Sequence, residues 1–109
     1  MTDTAHGVLP LIDNRIQAGY LLYNEAMWKI DALVFSGVID RDLTTPPESP
    51  SEGDVYIPAT NSTGAWNGHD DDIAHYYNGS WHFYTPVEGW RIWLNDEDTL
   101  AVWDGSAWI

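Results

Sequence analysis

The strongest constraint in this sequence is an echo within its second half. Glu52-Gly53-Asp54-Val55-Tyr56-Ile57 returns as Glu88-Gly89-Trp90-Arg91-Ile92-Trp93. Further on, Ile73-Ala74-His75-Tyr76-Tyr77-Asn78-Gly79-Ser80-Trp81 reads against Leu100-Ala101-Val102-Trp103-Asp104-Gly105-Ser106-Ala107-Trp108. Both copies set short β-branched or aromatic runs between turn residues, the pattern of strands rather than helices, and the expected strands are 55–58, 73–77, 81–84, 91–94 and 100–103. Asn78-Gly79 and Asp104-Gly105 are dipeptides that fill primed turns, because both central positions need positive φ, so two hairpins are expected. Each copy reads strand, loop, strand, turn, strand, and two copies share a core that neither buries alone. They differ in the loop, long over 59–72 and short around 95–99.

The chain before this region follows other rules. Ile16, Tyr20, Tyr23, Met27, Ile30, Leu33 and Val34 recur at three and four residue steps, one face of a helix over 15–35. Gly19 interrupts it early, and Asn24 is an N-cap candidate for a shorter helix over 25–34 that ends at Gly37. Two readings of the stripe stay open, packing on the sheet and an intersubunit helix bundle. Ahead of it, 1–13 reads as an extended arm, docked or frayed, with Pro10 inside the apolar patch 8–12. Between helix and strands, 38–53 holds Pro46, Pro47 and Pro50 among Thr, Ser and acids, the composition of an exposed linker. The expected fold is α+β: arm 1–13, helical segment 14–37, proline-rich linker 38–53, and a small antiparallel β domain over 54–109.

Seven Trp, six Tyr and two Phe in 109 residues exclude a disordered segment, and with no cysteine the core must hold by packing alone. Four Lys and Arg against seventeen Asp and Glu give a net charge of −13. Arg15, Lys29, Arg41 and Arg91 are scattered, so nucleic acid and anionic membrane are excluded as partners by the absence of a basic patch. Residues 1–10 lack the pattern of a secretory signal and no apolar run reaches the length of a membrane span, so the expectation is a protein made soluble in the cytoplasm with no membrane insertion.

Across 9–108 the order of signatures resembles a family of uncharacterised phage and prophage proteins encoded near tail-fibre genes and found also in gene-transfer agents. The stretches that carry the resemblance are Asn24-Glu25-Ala26, Asp31-Ala32-Leu33-Val34, Arg41-Asp42-Leu43, Pro46-Pro47, Ser49-Pro50, Glu52-Gly53-Asp54, Tyr56-Ile57, Gly64-Ala65-Trp66, Gly68-His69-Asp70, Asn78-Gly79 with Trp81, Glu88-Gly89-Trp90, and Trp103-Asp104-Gly105 with Trp108. The resemblance implies a virion component, a tail-fibre, spike or baseplate-associated subunit in host attachment. A capsid decoration protein and a carbohydrate-binding module are the alternatives. The family supplies no catalytic residues, and the helix start Gln17-Ala18-Gly19-Tyr20-Leu21-Leu22 departs from its commoner Gln- and Lys-rich pattern.

Residue chemistry adds little that is catalytic. None of the serines sits in a Gly-x-Ser-x-Gly elbow, no His, Cys or Glu spacing forms a metal motif, and no cofactor fingerprint is present, so no catalytic, cofactor or metal residue is assigned. The loop Asn67-Gly68-His69-Asp70-Asp71-Asp72 is rich in oxygen but has neither the central Gly nor the terminal Glu of a helix-loop-helix calcium site. His75 and His82 read as cross-strand neighbours. Alternation puts Trp90, Ile92 and Leu94 on one face of their strand and Arg91 and Trp93 on the other, both needing cover. Trp66, His69, Asp70, Trp93 and Trp103 are the candidates for binding a glycan or partner. Val8, Leu9, Leu11, Ile12, Met27, Ile30, Leu33 and Val34 are the candidates for a self-interface. More apolar surface than ~109 residues bury points to a symmetric homo-oligomer, expected as a trimer by analogy with phage fibres. Other virion proteins and a host surface glycan complete the expected partners.

Overall fold

The computed structural model describes residues 20–34 and 37–109. They form an α+β arrangement of one helix and two three-stranded sheets, and the chain divides into two units after Ser36. The arm and its Val8, Leu9, Leu11 and Ile12 lie outside the described residues. No helix among the described residues is long and apolar enough to cross a membrane.

Helix α1 runs over Tyr20–Val34. Asn24 is therefore an interior residue in its second turn and not the N-cap that its residue type suggests. Leu21 and Leu22 are strong helix formers, so nothing local stops the helix from starting ahead of Asn24. Asn24, Asp31 and Ala32 are the buried positions, at i, i+7 and i+8, whereas Ile30 and Val34 are exposed and Met27 and Leu33 half-buried. The helix thus buries a different face from the one that its apolar spacing selects. It ends at Val34, the end expected for the shorter helix, and Gly37 already belongs to a strand.

That strand is β1 (Gly37–Val38), followed by β2 (Val55–Tyr56), β3 (Ile73–Tyr77), β4 (Ser80–Tyr84), β5 (Arg91–Leu94) and β6 (Thr99–Val102). Strands β2, β3 and β4 form one antiparallel sheet in that order. The other has the order β1-β5-β6, with β1 parallel to β5 and β5 antiparallel to β6. Two sheets therefore replace the single antiparallel one expected, because β1, which precedes the prolines, joins β5. The stretch 38–53 is correspondingly no free linker. Val55 O accepts from Ile39 N at 2.8 Å, and the carbonyls of Asp40, Leu43 and Thr44 accept from Ile57, Ala59 and Thr63 at 3.2, 2.9 and 2.8 Å. Proline removes donors but leaves neighbouring carbonyls free to accept, so a Pro-rich strip can be fastened along its acceptor side.

The hairpin turns obey local chemistry in one case and depart from it in the other. Asn78 and Gly79 both have positive φ, +52° and +77°, as a primed two-residue turn requires. At the second site only Gly105 is positive, at +102°. There Asp104 Oδ1 accepts from the amides of Ser106 and Ala107, both at 2.8 Å, so a side chain closes a longer turn between the bridged pair Trp103 and Trp108.

Matching backbone bonds give the openings of the two halves the same register. Gly53 N donates to Tyr76 O at 2.7 Å and Tyr76 N to Asp54 O at 2.9 Å. In the second half, Gly89 N donates to Trp103 O at 2.8 Å and Trp103 N to Trp90 O at 2.9 Å. Gly53 and Gly89 take nearly the same φ, +93° and +96°, a conformation costly for any residue with a Cβ. The core of the first sheet gathers Tyr56, Trp66 and Ala74, with Trp81 and Phe83 packed against it. Trp66 meets Tyr56 at 5.6 Å and, edge-on, Trp81 at 5.3 Å between ring centroids. Its indole N–H is buried without a hydrogen bond, a cost that these ring contacts must offset.

Candidate functional site

The alignment singles out one surface. Val55, Ile57, Ile73 and His75 are each 2% exposed or less. Their counterparts in the second half are Arg91, Trp93, Leu100 and Val102, all exposed. Trp93 stands opposite Leu100, and Arg91 opposite Val102, across the β5–β6 ladder, so the four share one face. Val102 exchanges both backbone bonds with Ile109, at 2.8 and 2.9 Å, which puts Ile109 on that face as well. Exposure is 45% for Trp93, 48% for Leu100, 36% for Val102 and 71% for Ile109. The opposite face of this sheet is core, with Val38, Ile92, Leu94 and Ala101 buried.

Beside Trp93 on β1 lies Gly37, its partner in register. A Cβ at Gly37 would meet the Asn95 side-chain amide, so the glycine leaves room for that side chain over β1. Acids stand at both ends of the strip: Asp96 and Asp98 in the turn and Glu88 and Asp104 at the other end are exposed. Glu97 is instead held by Arg41, whose Nε and Nη2 donate to its two oxygens at 2.8 and 2.9 Å, while Nη1 donates to Trp108 O at 3.3 Å. The pairing with Glu97 raises the Arg41 pKa further above its ordinary value. Arg91 is left as the cation within the strip.

Of the residues expected to bind, Trp93 alone lies on this surface. Trp66 is fully buried in the first core and offers no stacking platform, since the long loop folds its 3-10 turn Gly64–Trp66 inward. His69 stacks on Phe83, with centroids 3.6 Å apart, and its Nδ1 lies 3.0 Å from Asp72. Asp70 accepts from the amides of Asn61 and Ser62 at 2.9 and 3.0 Å and from the Ser62 hydroxyl. These bonds, the hydroxyl's first, hold its carboxyl below the usual range. Both oxygens of Asp70 are thus occupied in closing its own loop. Burial, then the charges of Asp70 and Asp72, push Asp71 the other way. Trp103 is half-buried against Trp108 on the face opposite Trp93.

His75 and His82 do pair across β3 and β4. His82 stacks on Tyr77 at 3.7 Å, and the Tyr84 hydroxyl lies 3.2 Å from His75 Nδ1. Burial pushes the Tyr84 phenol well above its ordinary range. Sequence reasoning missed one cluster: Asp40, Asp42 and Asp96 each bring a carboxylate oxygen within 4.8 Å of the others. No motif spacing reveals it, because the two loops that meet there are far apart in the chain. Within the cluster, Asp40 Oδ1 already accepts from Asp42 N.

A family described as Protein of unknown function (DUF2793) matches residues 23–109. The chain belongs to that family. The match takes in all six strands and most of α1, so the exposed strip and the buried positions aligned with it lie inside the shared domain. No curated protein matches the sequence.

Proposed function

We propose that the chain is a non-enzymatic structural protein of a bacteriophage particle, a tail-fibre, spike or baseplate-associated subunit serving host attachment, and that the strip Arg91, Trp93, Leu100, Val102 and Ile109 seats a neighbouring virion protein. The observation that carries this is the asymmetry between aligned positions: side chains buried in one half are replaced by exposed and mostly apolar ones in the other. Contiguous exposed apolar patches are uncommon on monomers and mark contact surfaces. A protein occupant fits better than a sugar, because Trp93, Leu100, Val102 and Ile109 make most of the strip apolar, with Arg91 as its polar side chain. Acids at both ends, on a chain of net charge −13, call for an apolar surface rimmed by Lys and Arg. Self-association as a homotrimer belongs to the same reading, with the partly exposed helix face of Met27, Ile30, Leu33 and Val34 as its contact.

The test is to locate the tagged protein in purified particles by imaging and count its copies. A few copies at the tail, lost with Trp93→Asp while the isolated chain keeps its circular dichroism, supports the proposal. Hundreds of copies on the head would replace it with a capsid decoration role, and absence from particles would refute it. Light scattering on Leu33→Asp tests the helix contact separately.

A further inference from the structure

We propose that β4 is a self-pairing edge: Ser80–Tyr84 of one copy adds antiparallel to Ser80–Tyr84 of a second, about a two-fold axis at His82, joining two three-stranded sheets into one of six strands. The direction of the backbone groups carries the argument. Tyr76 uses both its N–H and its C=O toward the segment leading into β2, at 2.9 and 2.7 Å. Backbone groups alternate in direction along a strand, so Ile73, His75 and Tyr77 face β4, and their partners Tyr84, His82 and Ser80 face back. Trp81 and Phe83 are left with N–H and C=O pointing away from the sheet, and β4 is its last strand.

Two outward residues flanking a central one are self-complementary. With His82 on the axis, Trp81 of each copy pairs with Phe83 of the other and all four outward groups of each copy are used. Exposed edges are ordinarily blunted by Lys, Pro, a bulge or an inward charge. β4 carries none of these: its sequence is Ser-Trp-His-Phe-Tyr, without Asp, Glu, Lys or Arg in a chain of net charge −13. Two copies therefore meet there without carboxylates opposite one another. The side chains point the same way. Trp81 and Phe83 pack against the Tyr56, Trp66 and Ala74 core but stay only partly buried, and pairing lays each beside the other's ring in the second copy.

The pairing is independent of the reading above, which uses other surfaces, and the absence of cysteine gives a clean test. Across the axis the two His82 positions form a pair without mutual backbone bonds, with Cα atoms about 4.5 Å apart, inside the span of a disulfide. The two Ser80 positions lie four residues apart along the joined strands, roughly 13 Å. Mild oxidation of the full-length His82→Cys chain should give a covalent dimer in most of the protein, and Ser80→Cys should give almost none. Light scattering should find the wild type at an even number of chains, with Phe83→Pro, which removes an outward N–H, halving that mass. Leu33→Asp and Trp93→Asp should leave the His82→Cys cross-link yield unchanged, which separates failure here from failure of the helix contact or the apolar strip. A monomeric wild type without the cross-link overturns the proposal, and so does equal cross-linking through Ser80→Cys, even if Phe83→Pro proves unfolded.

Discussion

The two halves of the β region open with the same backbone bonds and differ in what they cover. The same Gly-initiated bonds, Gly53 to Tyr76 and Gly89 to Trp103, open both, and Trp81 and Trp108 sit at equivalent places opposite Tyr76 and Trp103. The first half spends a long loop on its core. That loop delivers Trp66 to one face of its sheet and His69 to Phe83, and it closes on itself through Asp70. The second half has only the turn between Leu94 and Thr99, and the face that stays open there aligns with Val55, Ile57, Ile73 and His75, opposite the face that Trp66 covers in the first half. The lesson is that strand pattern and turn chemistry set the ladder, while the segments packed against each face decide which faces are finished within the chain.

Aligned substitutions test this contrast, and the largest effect belongs to the loop. Trp66→Ala should cost about 3–5 kcal/mol, since it empties the centre of the first core, and chemical denaturation would read it as a fall in midpoint. Next comes the matched pair Ile73 and Leu100. Ile73→Ala should cost about 2–5 kcal/mol and Leu100→Ala no more than about 0.5 kcal/mol. Equal costs would break the contrast and show that the open strip is covered in solution.

Substitutions at the shared glycines probe the likeness rather than the difference. Gly53→Ala and Gly89→Ala place a Cβ at strongly positive φ and should each cost about 1–2 kcal/mol, in equal measure if the two openings are equivalent. Gly37→Ala should cost about 1 kcal/mol through its clash with Asn95, and Asn95→Ala in the same chain should recover most of it.

The smallest effects are electrostatic. Asp70 and Asp104 are both held below the ordinary carboxylate range by hydrogen bonds, the Ser62 hydroxyl leading for Asp70 and the Ala107 amide for Asp104. Each therefore contributes stability that is present above about pH 3.9 and is lost as pH falls through its lower folded value. Asp70→Asn and Asp104→Asn should lower the melting temperature at pH 7 and flatten its decline below pH 4. Asp71 is raised, so its charged form opposes folding at neutral pH and that opposition fades on acidification. Asp71→Asn should raise the melting temperature at pH 7, in the opposite sense to its neighbour.

Much of the ladder is legible because its signals are local. Asn78-Gly79 needs only its own two φ angles to form a turn, and alternation needs only neighbours to set which face Trp93 shares with Arg91. Asp104 shows where local reasoning stops, since the same kind of dipeptide built a different turn once the carboxylate bonded Ser106 and Ala107. Trp66 and Trp93 show it more sharply. Both look like surface aromatics beside polar residues, and one is the centre of a core while the other stands open.

By itself the sequence determined the α+β class, four of the strand positions to within a residue, and the tight turn at Asn78, because periodicity and turn φ are properties of contiguous residues. Tertiary structure decided the parallel pairing of β1 with β5, the fastening of 39–44 to 55–63, the helix face that is buried, and the meeting of Asp40 and Asp42 with Asp96. The physical reason is that burial and hydrogen bonding between distant segments depend on which surfaces the chain brings together. A residue's own type limits those contacts without choosing among them.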